Sequence, residues 1–124
     1  MQILPQKQFK YLKAFQKKFP ITDRTIFVYE DNIYSDKEIP PDIIIHEKVH
    51  IKQQAKIGAD KWIKKYLNNP QFRLKQEIEA YIVQIEFFKD REAKGYCRRE
   101  CAENLSSSLY GGIISREEAF RVLL

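Results

Sequence analysis

Histidine and cysteine are both scarce in this chain, with two of each. Cys97 and Cys101 are four residues apart, a spacing that puts both thiols on one helical face. That suits packing better than a disulfide, whose geometry is demanding. With no histidine near them they read as small core residues rather than a second metal site. Long apolar runs are missing as well: none approaches the ~20 residues that span a membrane. The polar start M-Q-I-L-P-Q-K-Q lacks a signal-peptide core. A cytoplasmic location is the expectation, and a phage-encoded protein would look the same. Repeats, linkers and low-complexity tracts are absent, so 124 residues read as one domain, 1–124, with a modest core.

The composition that remains, 44% hydrophobic and 31% charged, is ordinary for a soluble globular protein. Much of the net charge of +5 comes from Lys7, Lys10, Lys13, Lys17 and Lys18, interleaved with Phe9, Leu12, Phe15 and Phe19. This spacing predicts an amphipathic helix over 6–19, stopped before Pro20. A nucleic-acid patch is the second reading of its lysine face.

Strand-like sequence is confined to Thr25–Glu30, with Ile33-Tyr34 as a short partner across an Asp31-Asn32 turn. Helical spacing accounts for the rest. A helix follows Pro40-Pro41-Asp42 and stops at Gly58, and a short one covers 60–67. A long one runs from Gln71 to about Lys94, ended by Gly95, and another covers 96–107. After the flexible Tyr110-Gly111-Gly112, Ser115 and Glu118 form a capping box for a last helix. The fold class is therefore α+β and predominantly helical, with a small N-terminal hairpin.

Both histidines fall in H-E-K-V-H, residues 46–50. On a helix His46 and His50 lie one turn apart on one face and can offer two imidazoles to a single ion. In zinc hydrolases with this motif the glutamate, here Glu47, takes a proton from water and passes it to the leaving group. Lys48, Lys52 and Lys56 form a stripe nearly opposite His46, His50 and Ile57, which turns the histidines inward. A catalytic zinc usually has three protein ligands, and no third histidine exists, so either a carboxylate completes the set or the site uses an unusual ligand. Glu77 and Glu79 are the candidates, about 200° apart on the long helix. Glu77 flanks the inward face of Leu74, Ile78, Tyr81, Ile85 and Phe88, beside Gln84. Glu79 lies with Lys75, Glu86 and Asp90 on the wet side, so Glu77 is preferred and Glu79 is the alternative.

H-E-K-V-H followed by Q-E-I-E-A-Y resembles the gluzincin zinc metallopeptidases, which pair H-E-x-x-H with a glutamate on a following helix. Several members carry E-x-E-A-D or E-x-E-A-N there, with the first glutamate as ligand; Tyr81 stands here in place of Asp or Asn. The likeness covers about residues 25–94 and is nearest in size to the smallest gluzincins. The whole chain, including S-S-S-L-Y-G-G-I-I-S-R-E-E-A, is also similar to phage and prophage H-E-x-x-H proteins. The resemblance implies Zn²⁺ on His46, His50 and Glu77, peptide-bond hydrolysis with Glu47 as general base, and a peptide or protein substrate. It also implies a strand, Thr25–Glu30, along the cleft. Relatives often use a tyrosine or histidine to steady the oxyanion, and Tyr110 is the nominee. The alternative function is a non-catalytic, metal-stabilised protein that contacts nucleic acid or a host protein through its basic N-terminal helix. A third is a latent peptidase with its own tail in the cleft.

Overall fold

A computed structural model describes residues 1–124. It contains six α-helices and one three-stranded sheet, the predominantly helical α+β arrangement expected. In the sheet, β1 (Gln2–Leu4) runs parallel to β3 (Asn32–Tyr34), which pairs antiparallel with β2 (Phe27–Tyr29). β3 is therefore central, its Ile33 fully buried, and β2 is an edge. The hairpin turns at Glu30-Asp31, one residue earlier than expected, with Glu30 at φ 54° in the left-handed region.

The N-terminal segment departs from the expected helix over 6–19. Residues 2–4 form β1, Gln6–Gln8 make a 3-10 turn, and only Leu12–Lys18 is helical, as α1. Long-range hydrogen bonds override the helical spacing. The Gln6 N–H donates to Asp36 Oδ1, and its side-chain Nε2 donates to the carbonyls of Thr22 and Thr25. Phe9 then stacks on Phe27, ring centroids 4.4 Å apart. The aromatic residues at helical spacing do face inward, but from three kinds of local structure.

The motif helix α2 (Pro41–Ile57) begins with proline at its first turn, where the missing N–H costs nothing. It ends at Gly58, whose φ of 96° a side chain would disfavour. Asp42 lies in the first turn but does not cap the helix. Lys48, Lys52 and Lys56 are exposed, as the stripe argument requires. Ile57, placed on the inward face from sequence, is 38% exposed because the helix ends there. The inner face instead buries polar groups: His46, Glu47, His50, Gln53 and Gln54.

Helix α3 (Ala59–Asn68) sends Trp62, Ile63 and Tyr66 into the core. α4 (Pro70–Glu86) starts from Asn69, whose side chain accepts from the Phe72 N–H. It ends eight residues before the expected stop at about Lys94. Asp90 accepts from the Ala93 N–H and so initiates α5 (Arg91–Leu105), while Phe88 turns to pack against a core cluster. Gly95 sits inside α5 with ordinary φ, so it terminates nothing and no helix begins at 96. In α6 (Arg116–Val122), Ser115 accepts from the Glu118 N–H, but Glu118 pairs with Arg121 rather than reaching back, so half the capping box forms. Cys97 and Cys101 are free and buried, with Sγ atoms 3.7 Å apart.

Three apolar clusters result. A small one, Val28, Ile33 and Ile39, joins the sheet to Ile43, Ile44 and Ile51 of α2. Of the two larger, one joins the N-terminal phenylalanines, Phe27, Tyr34 and α3; the other joins α4, α5 and α6. The polar faces of α2 and α4 meet between them. One polar group ties α2 to the sheet. Gln54, fully buried, donates from Nε2 to the Val28 carbonyl and accepts from the Glu30 N–H, both at 2.8 Å. A single side chain thus supplies the partner that the open edge of β2 lacks. Gln54→Leu leaves the buried Val28 carbonyl unpaired, whereas Glu30 is exposed and its N–H can turn to water. We expect it to destabilise the protein by about 1–3 kcal/mol, read as a lower denaturant midpoint at unchanged slope.

Candidate metal centre

Helical geometry places His46 and His50 on the α2 face that packs against α4, with ring centroids 4.9 Å apart. The Nε2 atoms converge on one acceptor. Oε1 of Glu77 is 3.1 Å from Nε2 of His46 and 3.2 Å from Nε2 of His50. Glu77 is 3% exposed, whereas Glu79 is on the solvent side. Glu79 nevertheless touches the same network, because Gln53 Nε2 donates to it at 3.2 Å.

The outer nitrogens are held too. Each Nδ1 faces a glutamine carbonyl, His46 toward Gln84 Oε1 at 3.0 Å and His50 toward Gln53 Oε1 at 2.8 Å. A carbonyl only accepts, so each Nδ1 carries a hydrogen; an Nε2 that gives up its own proton, as binding a metal requires, then presents its lone pair inward. The glutamines are themselves tied down: Gln84 donates to Asp42 Oδ2, and Gln53 donates to the Gln76 carbonyl. Glu77 is fixed from the far side, its Oε2 accepting from the Tyr66 hydroxyl at 2.5 Å. Arg73, also buried, donates to the carbonyls of Tyr66 and Tyr110 and lies over the Phe19 ring.

Glu47 differs from every neighbour. It is buried within the fold, yet its carboxylate has no hydrogen-bond partner in the chain and fronts a cavity of about 380 Å³. The ligand atoms of His46, Glu47 and His50 lie within 4.8 Å of one another. Aromatic residues of the first core wall the cavity, together with Tyr81, Tyr110, Ile26 and the strand residues Phe27 and Val28. Tyr110 and Tyr81 share a hydrogen bond of 2.6 Å between hydroxyls, and the Tyr81 ring packs edge-on to His46. No residue after Tyr110 lines the cavity; the tail packs on α5.

Burial and charge set the protonation. Burial disfavours a charged His50, but the Glu77 carboxylate, its hydrogen bond and the nearby Glu47 raise it to about 9. Burial would raise Glu77, yet His50 and hydrogen bonds from both imidazoles hold it well below the usual carboxylate range. Glu47 is raised: burial outweighs the two histidines, and Glu77 adds to it. Tyr66, Tyr81 and Tyr110 are pushed up by burial and then by the charge of Glu77, so all three remain hydroxyl donors at neutral pH.

The donor set fits a small divalent ion. Two ligands about 2.0–2.1 Å from a tetrahedral ion lie about 3.3 Å apart, and the Glu77 oxygen stands 3.1 and 3.2 Å from the two imidazole nitrogens. Each first contact has a second hydrogen bond behind it, as metal ligands commonly do. The sequence missed that shell. Gln53, Tyr66 and Arg73 carry no motif; Gln84 lay on the predicted flank beside Glu77 but had no assigned role.

The site is thus a buried His46-Glu47-His50 group able to hold a metal ion. No protein-family model matches the chain, and no curated protein or solved structure matches it either. No helix is long and apolar enough to cross a membrane.

Proposed function

We propose that the protein is a zinc-dependent peptidase of the gluzincin type, with zinc on His46, His50 and Glu77 and with Glu47 as general base. The carrying observation is the unpartnered Glu47 carboxylate, which fronts the cavity beside two imidazoles whose Nε2 atoms converge. Every other buried polar group around it is hydrogen-bonded, and a carboxylate left free there is the one available to a reacting water.

Zinc, when bound, supplies Lewis-acid polarisation of a carbonyl and lowers the pKa of a water molecule toward neutrality. The chain's own groups do the rest. Glu47, its affinity for protons raised by burial, takes a proton from water as oxygen adds to the carbonyl carbon. It gives that proton to the amide nitrogen as the C–N bond breaks, yielding a carboxylic acid and an amine, and the acid's remaining proton then passes to the amine or to solvent. Tyr110, neutral, joined to Tyr81 and lining the cavity, is the hydroxyl assigned to donate to the carbonyl oxygen, since that of Tyr66 is taken by Glu77. Gln53 and Gln84 hold the imidazoles, and Tyr66 holds Glu77. An extended peptide pairing with β2 finds the Val28 carbonyl and the Glu30 N–H already taken by Gln54. Pairing is then confined to the Thr25–Phe27 end, all of which lines the cavity.

The test uses the wild-type chain, purified without added metal and then titrated with zinc. One equivalent of tightly held zinc and cleavage of an unstructured protein or a peptide library, both lost to a chelator and restored by zinc, are expected. One equivalent of zinc with no cleavage anywhere in the library would favour the metal-stabilised binding protein, and absence of stoichiometric metal would remove both readings.

A further inference from the structure

The cavity that exposes Glu47 has one basic side chain in its lining apart from the two histidines, Arg24. Its surroundings set it apart from an ordinary surface arginine in two ways. First, the turn that carries it is tied at several points. Thr25 N–H donates to the Thr22 carbonyl, the Thr22 N–H donates to Thr25 Oγ1, and the Arg24 N–H donates to Thr22 Oγ1. From inside the fold, Gln6 Nε2 donates to the carbonyls of both Thr22 and Thr25, at 2.8 and 2.9 Å. The buried Gln6 therefore fixes the turn from behind and leaves Arg24 at the mouth.

Second, the nearest acid in sequence is already committed. Asp23 pairs with Lys37 at 3.4 Å, while the Arg24 guanidinium has no ion pair or hydrogen bond within the chain. The other ionisable groups lining the cavity are the site's own carboxylates and imidazoles, together with neutral tyrosines. The lining is otherwise mainly apolar and aromatic. An incoming anion is repelled by Glu47 and Glu77 and has one cation to meet. A guanidinium beside apolar surface is suited to a two-pronged carboxylate contact, because its planar fork matches the two oxygens.

We propose that Arg24 is a specificity-determining residue that receives a carboxylate of the bound peptide, so that the preferred substrate places a bulky apolar residue in the cavity and a carboxylate at its mouth. The inference rests on the peptidase reading and names the substrate class for the same site. The carboxylate has two sources, the peptide's C-terminus or an aspartate or glutamate side chain.

Binding decides it without requiring turnover. The zinc-loaded full-length chain carrying Glu47→Gln is titrated with three peptides built on acetyl-Ala-Ala-Phe-Ala-Ala: the free acid, the C-terminal amide, and an amide with aspartate following the phenylalanine. At least one acidic peptide is expected to bind about tenfold more tightly than the neutral amide, the order of one charge-assisted bidentate pair. Adding Arg24→Gln should erase that preference and leave the affinity for the neutral amide unchanged. Preference for the free acid identifies the C-terminal carboxylate, and preference for the aspartyl amide identifies a side chain. A preference below twofold, one that survives Arg24→Gln, or no binding of any of the three overturns the proposal. Failure of the peptidase reading shows separately, as absence of cleavage by the zinc-loaded wild type. Arg24 is exposed, so its replacement leaves the fold intact, verified by an unchanged unfolding midpoint.

Discussion

Glu47→Gln is expected to keep one equivalent of zinc and lose about 10²–10⁴-fold in peptide cleavage. The substitution preserves shape and removes the basic oxygen. Because the Glu47 carboxylate makes no hydrogen bond in the chain, no partner is orphaned when it becomes an amide. Removing a buried charge whose protonated form burial already favours also avoids an electrostatic penalty on folding. Zinc stoichiometry by elemental analysis and kcat/KM on one cleaved peptide separate the two roles. Retention of more than a tenth of the wild-type rate would remove Glu47 as the base. Loss of the metal together with the rate would make it a ligand, a role its place in the cluster with His46 and His50 permits.

Glu77→Gln is expected to weaken zinc by more than about 10²-fold, beyond the 10–100-fold that loss of an outer-shell partner costs. The reason is geometric: one oxygen of Glu77 stands between both imidazole nitrogens, and its charge is the one both face. Tyr66→Phe removes only the hydroxyl behind Glu77 and belongs in the outer-shell range. Glu79→Gln touches the centre only through Gln53 and His50, and should cost less than about tenfold. Competition against a chromophoric chelator at fixed pH ranks the three. If Glu79→Gln costs more than Glu77→Gln, the third ligand is assigned to the wrong carboxylate.

Much of the centre is legible in the sequence. Four-residue spacing put His46 and His50 together, the lysine stripe gave them their direction, and helical periodicity separated Glu77 from Glu79. These are local properties of a helix, and they survive into the fold because α2 and α4 are regular through that stretch. What failed was set by distant partners. Nothing near Gln6 announces that Thr22, Thr25 and Asp36 will claim it, so the segment looked helical from residue 6. The break after Glu86 depends on Asp90 capping a new helix, a preference that competed in sequence with an unbroken run and a conspicuous but idle Gly95. The glutamines that hold the imidazoles were invisible for the same reason: an amide side chain acquires its role from what stands opposite.

The two larger apolar bodies of the chain, touched in common by Tyr110, face each other across a polar seam of histidine, glutamate and glutamine between α2 and α4. Cooperativity has to cross that seam, where the contacts are hydrogen bonds rather than interlocking hydrocarbon. An ion bound there would rivet one body to the other, so that loading the site and unifying the unfolding transition are a single event. The only tryptophan, Trp62, belongs to the first body. Its fluorescence reports the melting of that half, and agreement with a probe on α5 measures how firmly the seam is closed.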